Sequence, residues 1–295
     1  MSILDDLKTE YRMGGVVQRL IFWNVGLFLI PLVLFSILNL SMDTSAFDWR
    51  SGANDWFSLS SNPADLLWKP WSLLGYAFLH QGVLHILFNM MMLFFAGRLF
   101  LTFFTQKQLF GLYALSAIFA ALVYIGGYSI FAEGAASKMV GASAAIMAIL
   151  IATATYAPYY QIRLLLIGTV KLWHLAIVLV ALDLIYAAAE NTGGHIAHLS
   201  GALFGFAYIK LLQNGTDLSK GVSAFLDFFA NLFKPKKATP FKKVHRNTAA
   251  KPRAAAKPVK DLTQKQIDDI LDKISKSGYD SLTKEEKEFL FKVGK

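Results

Sequence analysis

The sequence predicts an all-α polytopic membrane protein, and two observations carry that reading. Hydrophobic residues make up 55% of the 295-residue chain, with a mean hydropathy of +0.44, well above the apolar share of an ordinary soluble domain. The apolar residues also come in long blocks. Six of them, at residues 20–40, 81–103, 109–131, 140–156, 172–189 and 195–212, approach the roughly 20 residues that a helix needs to cross hydrocarbon.

In chain order, residues 1–19 mix Asp5, Asp6 and Glu10 with Lys8, Arg12 and Arg19 and form a short polar segment. The block behind it is too long for a signal peptide and lacks a small-residue cleavage site, so it is expected to stay as the first helix. Pro31 within that helix, and the glycines of the later ones, are tolerated in membranes and used there for packing. The loop from Ser41 to His80 carries Trp49, Trp56, Phe57, Trp68 and Trp71, rings that favour the membrane interface. After the sixth span, Phe225, Leu226, Phe228, Phe229, Leu232 and Phe233 surround one charge, Asp227, as in a helix lying in the interface. Residues 234–260 hold ten Lys and Arg, no acid and four prolines, and read as a flexible basic linker. The last stretch has Ile267, Ile270, Leu271 and Ile274 at helical spacing, a break at Gly278 and a capping pattern Ser281–Glu286 before Phe289 and Leu290.

The predicted organisation is a cytosolic segment (1–19), a six-helix membrane domain (20–213), an interfacial helix with a basic linker (214–260) and a small helical cytosolic appendage (261–295). The formal charge of +9 sits largely in residues 234–260, next to the membrane part. Anionic lipid headgroups are therefore the nearer partner, and nucleic acid is not expected. With no cysteine there is neither a disulfide framework nor a thiolate metal site.

Orientation follows from the short loops. Arg12 and Arg19, Arg98 and Lys107, Arg163 and Lys171, and the basic tail all fall on one side, which the positive-inside rule makes cytoplasmic. Both termini are then inside a cell (inner) membrane, and the second, fourth and sixth spans begin at the outer face. Each of the three begins with polar residues: His80, His85 and Asn89, then Ser143, then His195 and His198. Polar groups at one depth in a membrane are costly and point to a site.

A serine hydroxyl is protonated at neutral pH and needs a base within hydrogen-bond reach to act as a nucleophile. Ser143 opens the fourth span, and His198 supplies the base if the fourth and sixth helices touch. Small residues allow that contact: Gly141, Ala145, Ala148 and Ala152 on one helix, Gly194, Gly201 and Gly205 on the other. His85 and Asn89, four residues apart on one face, can donate hydrogen bonds to an oxyanion, together with the Ser143 amide. Read one at a time these residues are blander: a packing serine, and a His85 and Asn89 that anchor the first loop. His195 is expected to face outer water, His80 and His174 to be hydrogen-bond-satisfied structural or interfacial residues, and Asp183 to be a buried hydrogen-bonding group without a partner carboxylate. No His-Glu-x-x-His string is present, and no metal or cofactor is expected.

Taken together, Gly141-Ala142-Ser143, His85-Ile86-Leu87-Phe88-Asn89 and Ala197-His198-Leu199-Ser200-Gly201-Ala202-Leu203-Phe204-Gly205 resemble the rhomboid family of intramembrane serine proteases. The resemblance covers roughly residues 20–212. It implies a Ser–His dyad without an acid, with Ser143 as nucleophile, His198 as general base, and His85, Asn89 and the Ser143 amide as the oxyanion hole. It also implies that the substrates are single-pass membrane proteins, cut in or near their membrane segments. Four positions depart from the family pattern: Ala144 for a glycine, Ser72 for the arginine after Trp71, Leu101 for an acid, and Met147 for an aromatic. The alternative to a serine endopeptidase is a rhomboid-like protein that binds membrane helices without cleaving them, and Ala144 is its main support. A transporter fits badly, since the polar groups sit near one face and no inverted repeat is visible.

Overall fold

The computed structural model describes residues 2–41, 55–131, 137–164, 167–187, 191–232 and 259–293. The chain forms two compact units, Met1–Pro235 and Lys236–Lys295. The first is a helical bundle. It contains α1 (Ile3–Met13), α2 (Val16–Ser41), α3 (Val83–Phe100), α4 (Gln106–Phe131), α5 (Ser143–Tyr156), α6 (Leu172–Ala187), α7 (Thr192–Gln213) and α8 (Ser219–Leu232). Two antiparallel pairs of short strands complete it, β1 (Leu59–Ser60) with β2 (Lys138–Met139) and β3 (Gln161–Leu164) with β4 (Gly168–Lys171).

Among the described residues, four helices are long and apolar enough to cross a membrane: Val16–Leu38, Val83–Phe100, Gln106–Tyr128 and Thr192–Gln213. Two expected spans are shorter. Helix α5 has 14 residues and α6 has 16. At 1.5 Å per residue α5 is about 21 Å long, less than the hydrocarbon core of a bilayer. The expected start at residue 140 was early because the run opens on extended backbone. Strand β2 ends at Met139, and Gly141 takes φ +130°, a conformation closed to helix. The helix therefore begins at the serine itself. The expected end of α6 at residue 189 falls outside the described residues.

Helix α5 is the core of the bundle, with every residue from Ala144 to Ala154 buried. It is packed by α3, α4, α6 and α7. The closest approach is to α7, where Gly201 lies against the Ala144 carbonyl oxygen and Gly205 against that of Ala148. A Cβ at either glycine would run into that oxygen, so only glycine lets the two backbones meet. Elsewhere the bundle exposes large apolar side chains, among them Leu34 and Ile37 on α2, Leu84 and Phe88 on α3, and Ile177 and Leu184 on α6. So broad an apolar surface suits hydrocarbon, not water.

The segment before α3 is tied to the turn that precedes Ser143. Leu59 pairs with Met139 and Ser60 with Lys138. The Gly141 N–H donates to Tyr76 O at 2.9 Å, and the Tyr76 hydroxyl donates to Ala117 O on α4 at 2.9 Å. Tyr113 returns the bond from α4 to Ala77 O at 2.8 Å. Trp71, which lacks the arginine neighbour of the family pattern, donates its indole N–H to Trp56 O at 3.0 Å instead, and Ser72 caps onto Lys69 O.

Helix α8 carries exposed Phe225, Leu226, Phe228, Phe229 and Leu232. Asp217 holds its start: one carboxylate oxygen accepts from the Ser219 N–H and hydroxyl at 2.9 and 2.6 Å and from the Tyr208 hydroxyl at 3.2 Å. The other accepts from Gln108 on α4 at 3.2 Å. In the second unit, α9 (Val259–Ser277) and α10 (Lys284–Val293) bury Ile270 and Leu282, and Lys273 pairs with Glu286 at 3.0 Å. The basic linker expected at 234–260 lies, but for its last two residues, outside the described residues.

Two outcomes follow from this packing. Gly201→Ala, which forces a methyl onto the Ala144 carbonyl, is expected to destabilise the bundle by about 1–3 kcal/mol. Gly221→Ala, with nothing within 4 Å of the added carbon, is expected to leave the thermal unfolding midpoint unchanged or slightly raised; equal effects would refute the close-approach argument. For Asp217, burial pushes its pKa up, but the hydrogen bonds from Ser219, Gln108 and Tyr208 outweigh it and hold the carboxyl below the ordinary range. A carboxyl lowered in the folded state contributes stability above its unfolded pKa and loses it as pH falls through the folded value. The melting midpoint should therefore fall with acidification through that window, and Asp217→Asn should flatten that part of the dependence.

Candidate active site

The starts of α3, α5 and α7 meet at one end of the bundle. A polar cavity of about 280 Å³ there is lined by Gln81, His85, Gly141, Ser143 and His198. Helix α5 brings Ser143 in as its first residue, with amides of the first turn ahead of the first intrahelical bond from Ile146 N–H to Ala142 O. Such N–H groups, with the helix dipole behind them, favour a developing negative charge. Helix α7 brings His198, one turn before Gly201. The Ser143 Oγ and the His198 Nε2 are 2.7 Å apart.

The other His198 nitrogen, Nδ1, is 2.9 Å from Asp183 Oδ1 on α6. The same oxygen is 2.7 Å from His195 Nδ1. An ionised carboxylate only accepts, so both histidines donate from Nδ1. For a neutral His198 this leaves Nε2 as an acceptor, and the Ser143 hydroxyl donates to it. His195, expected to face water, is instead turned inward to Asp183, with its ring stacked on Tyr186 at 5.9 Å between centroids. Asp183 is the buried hydrogen-bonding group that was expected, but its two partners were not read from the sequence.

Asp183, His195 and His198 also bring three atoms of metal-ligating type within 4.8 Å of one another. Two ligands of a tetrahedral zinc at roughly 2.0–2.2 Å stand about 3.3 Å apart. The 2.7 and 2.9 Å spacings onto one shared oxygen fit protons better than an ion.

His85 accepts a long bond, 3.4 Å, from the Gln81 N–H at Nδ1. In the neutral ring the proton then sits on Nε2, which faces the Gly141–Ser143 turn: a Cβ built on Gly141 would lie 3.1 Å from His85 Nε2 and 3.6 Å from Ser143 Oγ. His85 thus both accepts from the first loop and sets its Nε2 against Gly141, two residues before the serine. Asn89 donates one N–H to His85 O at 2.9 Å, and its amide carries a second donor. It lines an apolar cavity of about 400 Å³ between α3 and α6 that also reaches Ser143 and His198. Met147, in place of the family's aromatic, lines that cavity too, and Ala144 is buried with its carbonyl on Gly201. His80 is not the satisfied residue expected: it is buried, neither ring nitrogen has a hydrogen bond of good geometry, and its ring packs edge-on to His85 at 5.0 Å. His174 lies at the surface with its ring against Trp173.

Fold and site together define a polytopic helical membrane protein that holds a serine and a histidine in contact inside its bundle. The Rhomboid domain model matches residues 67–214, half of the chain and inclusive of all four predicted site residues, and the chain belongs to the rhomboid family of intramembrane protease type. A family of unknown function, DUF6576, matches residues 259–293. No curated protein matches the chain.

The Gly141 geometry yields a test. Gly141→Ala strains the turn and pushes a methyl into the gap between His85 and Ser143. Displacements of about 1 Å at a reacting centre cost on the order of 10²-fold in rate. Labelling of Ser143 by a fluorophosphonate should slow by about that factor, and alanine at φ +130° should also lower the melting midpoint; labelling of the folded variant at the wild-type rate would show that the gap is not where the reacting carbonyl sits.

Proposed function

We propose that the protein is an intramembrane serine endopeptidase that cuts single-pass membrane proteins in or near their membrane segments. The observation that carries this reading is the 2.7 Å contact between Ser143 Oγ and His198 Nε2 where two cavities of opposite character meet. The polar cavity can bring water to the serine. The apolar one, between α3 and α6, can accept a side chain or an unwound segment arriving from lipid. Hydrolysis of a membrane segment needs both.

The chemistry is acyl transfer. Ser143 Oγ attacks the scissile carbonyl carbon as its proton passes to His198 Nε2, and the carbonyl π electrons move to the oxygen. In this reading His85 Nε2–H, the second Asn89 N–H and the Ser143 amide donate to that oxyanion, each worth about 3 kcal/mol in comparable sites. His198 then returns the proton to the leaving amine as the C–N bond breaks. Water hydrolyses the serine ester with His198 again as base. Ala144 is accommodated in the packing against α7 and removes no reacting group, which favours an enzyme over a non-cleaving binder.

The distribution of Lys and Arg supports an orientation with this site near the outer face of a cell membrane and both termini in the cytoplasm. The basic segment at 234–260 would then meet anionic headgroups of the inner leaflet.

The test is cleavage of a single-pass substrate with a helix-destabilised segment, by the purified full chain in liposomes. Wild type is expected to cut it, with Ser143→Ala and His198→Ala slower by about 10⁴-fold or more. Equal cleavage by Ser143→Ala would reject the mechanism. No cleavage and no serine labelling by wild type across a substrate panel would favour the binder.

A further inference from the structure

We infer that Asp183 is a positioning residue for His198, so that the site works as a hydrogen-bonded Ser143–His198–Asp183 chain with His195 as a second donor to the acid. The inference rests on the protease reading above and goes beyond the dyad that the family resemblance implies.

Three observations carry it. The contacts are in series: Oγ to Nε2 at 2.7 Å, then Nδ1 to Oδ1 at 2.9 Å, so the imidazole is held from both sides. The acid is buried, with 8% of its side chain exposed, in a stretch of helix, residues 175–185, otherwise built of Leu, Ile, Val and Ala. A carboxylate there is costly unless hydrogen-bonded, and the two donors that meet it are both imidazoles of α7. Finally, those donors lie one turn apart on α7, at positions 195 and 198, so one face of that helix presents both to a single oxygen.

The chemical consequence concerns the tautomer. A free neutral imidazole can carry its proton on either nitrogen, and only the Nδ1–H form leaves Nε2 able to take the Ser143 proton. Asp183, an acceptor alone, selects that form and fixes the ring plane. When Ser143 gives up its proton, the resulting imidazolium faces a carboxylate across one hydrogen bond. His195 keeps the acid in place: without it, Asp183 Oδ1 loses one of its two imidazole donors and can turn away from His198.

A purely structural role, tying α6 to α7, predicts a different result, so two readouts are needed. The full chain, labelled with 15N-histidine in detergent micelles, reports the His198 tautomer without any need for activity. Wild type is expected to show Nδ1–H with an unprotonated Nε2, and Asp183→Asn, which keeps shape and removes charge, to shift His198 towards Nε2–H. In liposomes, Asp183→Asn should lower kcat by up to about 10⁴-fold, the loss seen for the acid of Ser-His-Asp enzymes, with KM little changed. His195→Gln should give a smaller loss of kcat in the same direction.

Wild-type His198 in the Nε2–H form, or Asp183→Asn at wild-type kcat, would overturn the inference. So would a loss of kcat that tracks a fall in melting temperature with the tautomer unchanged. Should Asp183→Asn fail to fold, the wild-type tautomer decides alone. A wild type that shows the Nδ1–H form but cleaves nothing bears against the protease reading and leaves the positioning of His198 standing.

Discussion

The site depends on the direct approach of two helix backbones. Gly201 and Gly205 of α7 rest on the Ala144 and Ala148 carbonyl oxygens of α5. Between helices whose packed surfaces are as apolar as lipid, the hydrophobic effect favours no particular partner. Close van der Waals contact between small residues then decides which helices pair and at what depth. That contact places residue 198, one turn before Gly201, beside residue 143, one position before Ala144. The 2.7 Å hydrogen bond between serine and histidine is thus a consequence of a packing interface built one turn below it.

A second constraint concerns where α5 begins. Because Gly141 is held at φ +130° and its N–H is tied to Tyr76 O, the helix starts at Ser143 and stays too short to reach across hydrocarbon. The serine therefore sits at the floor of a polar depression, with amides of the first turn beside it. Loop pairing between β1 and β2 and the reciprocal tyrosine bonds to α4 fix that turn from above. Rigid support of this kind holds a reacting hydroxyl within the few tenths of an ångström that acyl transfer demands. The family pattern has an arginine next to Trp71; here the indole bond to Trp56 O supports the same loop.

Much of this was legible in the residues. The apolar blocks gave the helices, the basic loops grouped the polar helix starts at one end, and the small-residue faces singled out the α5–α7 contact. Ser143 with His198 followed from those. Three things were not read. The shortness of α5 was hidden because Val140, Gly141 and Ala142 are as apolar as the helix they precede, and hydropathy is blind to backbone conformation. The partners of Asp183 were missed because His195 was judged by its height in the membrane alone. The signal was available: α6 and α7 are consecutive, mutually packed helices only four residues apart in sequence, so residues equidistant from the middle of that interval face each other. Positions 183 and 198 are nearly so placed. Hairpin counting across two membrane helices pairs them, whereas reading each helix separately leaves an aspartate without a partner. His80 is a further gap, since nothing in its neighbours foretold a buried ring lacking well-formed hydrogen bonds.

The central claim is that Ser143 and His198 form one reacting unit at the junction of the polar and apolar cavities. Its most direct test is an experimental structure of the protein after reaction with a phosphonate ester. The account predicts phosphorus bonded to Ser143 Oγ, a phosphoryl oxygen within hydrogen-bond distance of His85 Nε2 and the Ser143 amide, and His198 still between the serine and Asp183. An adduct on another residue, or an oxygen directed away from His85 with α7 parted from α5, would contradict it.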